Sequence, residues 1–299
     1  MDSAAGEPQV HPAVLFIRRP GAPSANAMHQ RFHVLDSLAS GEPLVAFLAA
    51  AAAMPDPPRA AVIMGGGVVR ADATFLDAVP SIRFLVSTAA GVDHIDLAEC
   101  ARRGVAVANS GTVYSADVAD HAVGMLVNVL RRLSAAERFV RRGLWPVQED
   151  YALGSTLGEH WLTDRKEARA FGCIIHYNSR RPKDSVAYKY FPDVHDLASE
   201  SEVLVVACAL NKDTRHIVNK DVLEALGTDG IVINIGRGAS IDEAELIRAL
   251  KEGRIAGAGL DVFENEPAVP SDLLSMDSVV LTPHSAVFTL ESRSDLCEP

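Results

Sequence analysis

The chain has little that would mark it for a membrane or for the outside of a cell. Only four of its 299 residues are cysteine: Cys100, Cys173, Cys208 and Cys297. They form no C-x-x-C pair and no metal-ligand spacing, and Cys173 and Cys208 sit in apolar runs. Buried free thiols in a reducing compartment are therefore expected, and no metal. Long hydrophobic runs are missing as well. The longest, residues 44–54, is too short to span a bilayer and reads as one buried helix. Residues 1–20 carry Asp2 and Glu7 before any apolar stretch, which is no signal-peptide pattern, and the last three residues are not a peroxisomal signal. There is no surplus of positive charge: 28 Lys and Arg face 39 Asp and Glu, a formal net charge of −11. Such a surface repels nucleic acid and anionic membrane. It does not exclude a small acidic substrate, which needs only a local cationic patch. A soluble cytosolic protein is what these absences leave.

Apolar residues make up 48% of the chain, and 299 residues suffice for two packed cores. Short β-branched runs alternate with helix-period segments. The strand-like runs are 14–17, 61–64, 84–87 and 105–108, then 173–177, 203–208, 231–235, 258–262 and 279–282. Nearly continuous apolar strands separated by helices predict parallel sheets covered on both faces. The fold class is α/β with two domains, 1–110 and 111–290, and a short closing segment, 291–299. After the boundary comes the longest helical pattern, from 116 to about 140, with Val118, Ala122, Met125, Val129 and Leu133 at helical spacing. It is followed by Arg142-Gly143-Leu144-Trp145-Pro146. This segment suits a dimer arm or, equally, a buried helix between domains.

Three short stretches carry chemistry. Asn234-Ile235-Gly236-Arg237-Gly238 follows one predicted strand of the second domain. Asp261-Val262-Phe263-Glu264-Asn265-Glu266-Pro267 follows the next, and Thr282-Pro283-His284 the last. Open α/β sheets bind ligands at the carboxyl ends of their strands. An arginine, a carboxylate and a histidine thus converge on one sheet edge. A guanidinium can grip a carboxylate and polarise a neighbouring carbonyl. A histidine can protonate the oxygen as hydride arrives, and a carboxylate beside it favours the imidazolium. Taken singly, each has an ordinary structural reading; together they suit reduction of a 2-oxo acid.

These stretches, N-x-G-R-G, D-V-F-x-x-E-P and T-P-H in that order, resemble the D-2-hydroxyacid dehydrogenases. Ser87-Thr88-Ala89-Ala90-Gly91-Val92-Asp93-His94-Ile95-Asp96 resembles that family's substrate-loop signature. The likeness runs from about residue 14 to 294 and is strongest to plant glyoxylate/hydroxypyruvate and hydroxyphenylpyruvate reductases. It implies two Rossmann-like domains, a flavodoxin-like substrate domain and an NAD(P)-binding domain; a homodimer is expected beside it. It implies that Arg237 binds substrate, Glu266 pairs with the histidine and His284 donates the proton. Backbone amides around Gly66, Gly67, Val68 and Gly91 would bind the substrate carboxylate. Ala209, Ile235, Gly236, Arg237 and Asp261 would meet the cofactor, with Asp261 on the nicotinamide carboxamide. Tyr177-Asn178-Ser179-Arg180-Arg181 ends a strand without the acidic residue that NAD sites place there. Ser179, Arg180 and Arg181 suit a 2′-phosphate, so NADP is expected over NAD.

The family's G-x-G-x-x-G fingerprint is absent between Gly158 and Gly172, and no apolar run precedes that interval. The expectation is a nucleotide domain without its first strand and glycine loop, and so without the sheet's central strand. That leaves an alternative to the reductase: a catalytically impaired or non-enzymatic family member with a binding or oligomerisation role.

Overall fold

The computed structural model describes residues 11–17, 28–64, 69–156, 161–163 and 172–292. The chain divides into two compact units, with the break between Tyr114 and Ser115.

In the first unit, strands β1 (Ala13–Ile17), β2 (His33–Asp36), β3 (Ala60–Ile63), β4 (Phe84–Ser87) and β5 (Ala106–Ala108) alternate with helices α1 (Leu44–Ala52), α2 (Ala73–Ala78) and α3 (Leu97–Arg103). All neighbouring strands pair parallel, in the order β2-β1-β3-β4-β5. This is the flavodoxin-like order, with its switch point between β1 and β3. Leu15, Ile63 and Leu85 from the sheet meet Phe47, Leu48, Phe75 and Leu76 from the helices in one core. Helix α1 buries only Phe47, Leu48 and Ala51, and leaves Val45 exposed, so the run at 44–54 gives a half-buried helix over Leu44–Ala52 and not a wholly buried one. Asp72 and Asp96 accept from backbone N–H groups at the starts of α2 and α3, and left-handed Gly104 ends α3.

The second unit opens with α4 (Ser115–Arg131), α5 (Leu133–Arg141) and α6 (Trp145–Gln148). The single helix expected from the apolar spacing is broken at Arg132, whose φ is 52°. The Asn128 side chain explains the break: its Oδ1 accepts from Ser134 N–H at 2.9 Å, which caps a new helix. Strands β6 (Trp161–Thr163), β7 (Ile174–Tyr177), β8 (Lys189–Tyr190), β9 (Val203–Val206), β10 (Ile231–Asn234), β11 (Gly257–Leu260) and β12 (Val279–Leu281) follow. Among the described helices between them are α7 (Val194–Ser199), α8 (Lys220–Leu226), α9 (Glu243–Lys251) and α10 (Ser271–Leu274). The sheet order is β12-β11-β10-β9-β6-β7-β8, all parallel. Counted within the unit, its first six strands run 3-2-1-4-5-6, the doubly wound dinucleotide order.

The sheet therefore has its central strand, contrary to the expectation from sequence. Strand β6 pairs with β7 through Trp161–Thr163 and with β9 through Leu162. It is three residues long, too short to stand out as an apolar run, and it is held from both sides by backbone pairing. Residues 164–171, where the glycine fingerprint would fall, lie outside the described residues. Strands β2 and β8 were also not legible in the sequence. Each pairs with one neighbour only, so neither needs a two-faced apolar pattern.

Both faces of the second sheet are covered. Ala122, Met125, Leu126 and Leu130 of α4 pack on Ile175, Val203, Ile231 and Ile233. Leu223 of α8 and Leu246 and Ala249 of α9 pack on Leu204, Val206, Val232 and Leu260. A Cβ on Gly259 would lie 3.3 Å from Met125 Cβ on α4 and 2.8 Å from Ile233 Cδ1 on the neighbouring strand β10. Cys100 and Cys173 are buried thiols outside any disulfide, and burial pushes both thiol pKa values up. Cys208 is free but only half-buried, at the edge where β9 ends. No described helix is long and apolar enough to cross a membrane.

Candidate active site

Parallel pairing places the carboxyl ends of β10, β11 and β12 side by side. Arg237 lies three residues beyond β10, Asp261 directly beyond β11 with Glu266 five residues later, and His284 three residues beyond β12. The structure brings the histidine and the glutamate together. His284 Nδ1 donates to Glu266 Oε2 at 2.8 Å, with the two side chains 26% and 25% exposed. Burial pushes the Glu266 carboxyl up. The His284 hydrogen bond and charge, the Phe263 N–H and the Arg237 charge together outweigh that, and its pKa falls below the usual carboxylate range. The glutamate is thus an anion whose charge is felt by both cationic candidates. Arg237 also donates from Nη1 to its neighbour's Gly236 carbonyl at 2.8 Å, which restricts the guanidinium.

The backbone holds these groups in place. A Cβ on Gly238 would stand 1.9 Å from the Phe263 carbonyl carbon and 2.4 Å from Glu264 N. Only glycine lets the loop carrying Arg237 pass so close to the loop carrying Glu266. The second loop is pinned further. Glu264 accepts from Arg215 Nη2 at 2.8 Å and His216 Nε2 at 2.9 Å, and its own N–H donates to Glu243 at 3.2 Å. Burial pushes the Glu243 carboxyl up.

Asp261 is 1% exposed, and its carboxylate serves the histidine loop. It accepts from Thr282 Oγ1 at 2.6 Å, Ser285 N at 2.8 Å and Ala286 N at 3.1 Å. A carboxylate has roughly four acceptor positions, so these three leave room for about one further donor. His121 of α4 stands 3.1 Å from Thr282 Oγ1 and 3.6 Å from Asp261 Oδ1. His121, the cluster of Glu264 with Arg215 and His216, and Thr282 as a strut were not found by sequence reasoning. Their partners lie 21 to 161 residues away, beyond any local spacing signal.

The residues present fit a dinucleotide. The switch point falls between β6 and β9. Ala209 is exposed just past β9, while Ile235 and Gly236 are buried at the end of β10. Past β7, Ser179 is half-buried, and Arg180 and Arg181 are exposed with no carboxylate partner among the described residues. Tyr190 Oη donates to the Ser179 carbonyl at 3.0 Å, and Asn178 Nδ2 to the Phe191 carbonyl at 2.9 Å, fixing the base of that loop. In the first unit, Gly91 lies in the loop after β4, half-buried. Gly66, Gly67 and Val68 lie outside the described residues.

Comparison with known proteins decides the family. A family profile for the D-isomer specific 2-hydroxyacid dehydrogenase NAD-binding domain matches residues 123–286. A glyoxylate/hydroxypyruvate reductase of Arabidopsis thaliana is 49% identical over 233 residues, 75% of this chain and 72% of the relative. This chain belongs to the D-isomer specific 2-hydroxyacid dehydrogenases. A hydroxyphenylpyruvate reductase of Plectranthus scutellarioides is 43% identical over 246 residues, 79% of this chain and 78% of that one. The crystal structure of an NADPH-dependent glyoxylate/hydroxypyruvate reductase of Sinorhizobium meliloti, in complex with NADP and malonate, is similar with a TM-score of 0.84. It is 32% identical and covers 96% of this chain and 90% of its own. Residues 123–286, matched by the NAD-binding-domain profile, lie within the second unit, and the chain is an oxidoreductase.

Proposed function

We propose that this dehydrogenase reduces a small 2-oxo acid, glyoxylate, hydroxypyruvate or hydroxyphenylpyruvate, to the 2-hydroxy acid with NADPH. The observation that carries the reading is the 2.8 Å His284–Glu266 pair within reach of the Arg237 charge, at the ligand-binding edge of the sheet. Arg237 pairs with the substrate carboxylate and draws electron density toward the 2-oxo oxygen. His284, protonated, gives its Nε2 proton to that oxygen as the C=O π pair moves onto it and a C–H bond forms at C2. Glu266 accepts from Nδ1–H and fixes the orientation of the ring that gives up the proton. Bound nicotinamide supplies the hydride. Ser179, Arg180 and Arg181 hold the 2′-phosphate, Ala209, Ile235 and Gly236 line the dinucleotide, and Asp261 spends its remaining acceptor position on the carboxamide. Backbone N–H groups at Gly91, with Gly66, Gly67 and Val68, take the substrate carboxylate.

The names of the relatives support this reading over a non-enzymatic role, and the central strand removes one of the two grounds for an impaired enzyme. The reading extends to a cytosolic homodimer. Buried thiols outside any disulfide fit a reducing compartment. Trp145, Val147 and Leu153, which are 60%, 78% and 94% exposed beyond α5, fit a surface that a second copy covers.

The test is steady-state reduction of the three acids with NADPH and with NADH. NADPH should be preferred, and the Arg180→Ala, Arg181→Ala double variant should lose that preference by about tenfold or more. Each charge-assisted bond is worth ~1.5–3 kcal/mol. Unchanged discrimination would sink the NADP assignment, and no reduction of any of the acids would sink the function.

A further inference from the structure

The loop after β4 is shaped by the segment that leads out of the first unit. Three successive carbonyls of the loop each accept from it. Tyr114 Oη donates to Thr88 O at 2.8 Å, Ser110 N to Ala89 O at 3.4 Å and Asn109 Nδ2 to Ala90 O at 2.6 Å. Asn109 is itself steadied through its Oδ1, which accepts from Gly111 N at 3.2 Å. From beneath, the hydroxyl of buried Ser87 accepts from Ala89 N at 3.2 Å and lies 3.4 Å from Nε2 of buried His94.

Peptide planarity turns these contacts into a statement about donors. In a trans peptide the C=O of one residue and the N–H of the next point in opposite directions. Holding the Ala89 and Ala90 carbonyls on the connecting segment therefore turns the N–H groups of Ala90 and Gly91 the other way. Among the described residues those two N–H groups have no acceptor, whereas the Ala89 N–H is used by Ser87. Two adjacent amides facing outward make a small anion site. Without the Asn109 contact the Ala90 peptide, and with it the Gly91 N–H, is free to turn; Tyr114 braces the Thr88 peptide before it, whose Ala89 N–H is held by Ser87.

We propose that Asn109, with Tyr114 bracing the loop before it, is a positioning residue for the substrate carboxylate: it touches no substrate, and it sets the peptide plane that carries the Gly91 N–H so that this group meets the anion beside the Ala90 N–H. This rests on the 2-oxo acid reading above, and it adds Ala90 to the carboxylate site.

The experiment uses the full chain and the variants Asn109→Ala, Asn109→Asp, Tyr114→Phe and the Asn109→Ala, Tyr114→Phe pair. KM and kcat for hydroxypyruvate and glyoxylate are read beside the inhibition constant of malonate, NADPH affinity by fluorescence without substrate, and Tm. The pair should raise KM and the malonate constant about tenfold or more, with kcat changed less than about threefold. NADPH affinity and Tm should stay near the parent's. Asn109→Asp has the right size but no donor, so it should resemble Asn109→Ala. Parental KM and malonate constants in the double variant would overturn the assignment. So would equal losses in kcat and NADPH affinity, which mark a general structural role. A parent that reduced none of the acids would fail the function itself and the inference with it, which is a different result from an active parent with indifferent variants.

Discussion

His284 has a left-handed backbone, φ 52°, which costs a non-glycine residue about 1–3 kcal/mol. The surroundings hold it there: its N–H donates to the Asp261 carbonyl at 2.8 Å, and the Asp261 carboxylate ties down Thr282, Ser285 and Ala286 around it. If His284 is the proton donor, His284→Ala should lower kcat by roughly 10²–10⁴ while leaving NADPH affinity near the parent's. Arg237→Ala should raise KM and lower kcat together, because its partner charge is present in ground and transition states alike. Steady-state rates with hydroxypyruvate and a fluorescence titration of NADPH check both; near-parental rates would remove the two residues from the chemistry. The lowered pKa of Glu266 makes a second prediction. A carboxylate depressed in the folded state contributes stability above its unfolded pKa and loses it as pH falls through the folded value. Parent and Glu266→Gln should thus differ by a constant amount in urea midpoint near neutrality. The difference should shrink only as pH falls into the ordinary carboxylate range and on below it. A gap that closes between pH 6 and 8 would contradict this.

At the scale of elements, the site is an agreement between three loops. Gly238 decides whether the loops after β10 and β11 can nest, since a methyl there has only Phe263 and Glu264 backbone to meet. Gly238→Ala should push Arg237 away from Glu266. Misplacement by about 1 Å costs on the order of 10²-fold in rate, and kcat/KM should fall by at least that much. The measurement is paired with thermal unfolding, where a shift of a few degrees is expected from local strain; an active Gly238→Ala enzyme would show that the loops are not in register for catalysis. Strand β6 teaches a related lesson. Its three residues are placed by β7 and β9 on either side, not by an apolar pattern of their own.

At the scale of the whole molecule, two doubly wound sheets of different strand order share one chain, and each has its own core. The exposed apolar side chains past α5 belong to neither. Trp145→Asp with Val147→Asp should convert a homodimer to a monomer in light scattering at micromolar concentration, with the Tm of the chain lowered by loss of mass-action stabilisation. A parent that is monomeric before any substitution would dispose of the dimer.

Local pattern determined much of this protein. The apolar runs at 231–235 and 258–262 mark strands because buried parallel strands must be apolar on both faces. The residues Arg237, Glu266 and His284 were legible because each follows such a strand at a short, fixed distance. What tertiary structure alone decided is of another kind. The break of the long helix at Arg132 depends on where the Asn128 amide finds a partner, and the existence of β6 depends on neighbours from distant parts of the chain. The engagement of Asp261 by Thr282, Ser285 and Ala286, and the grip of Asn109 and Tyr114 on the loop after β4, join residues 19 to 26 positions apart. Hydrogen-bond partners at that separation leave no periodicity in a sequence. They exist only once packing has brought the strand ends to one edge.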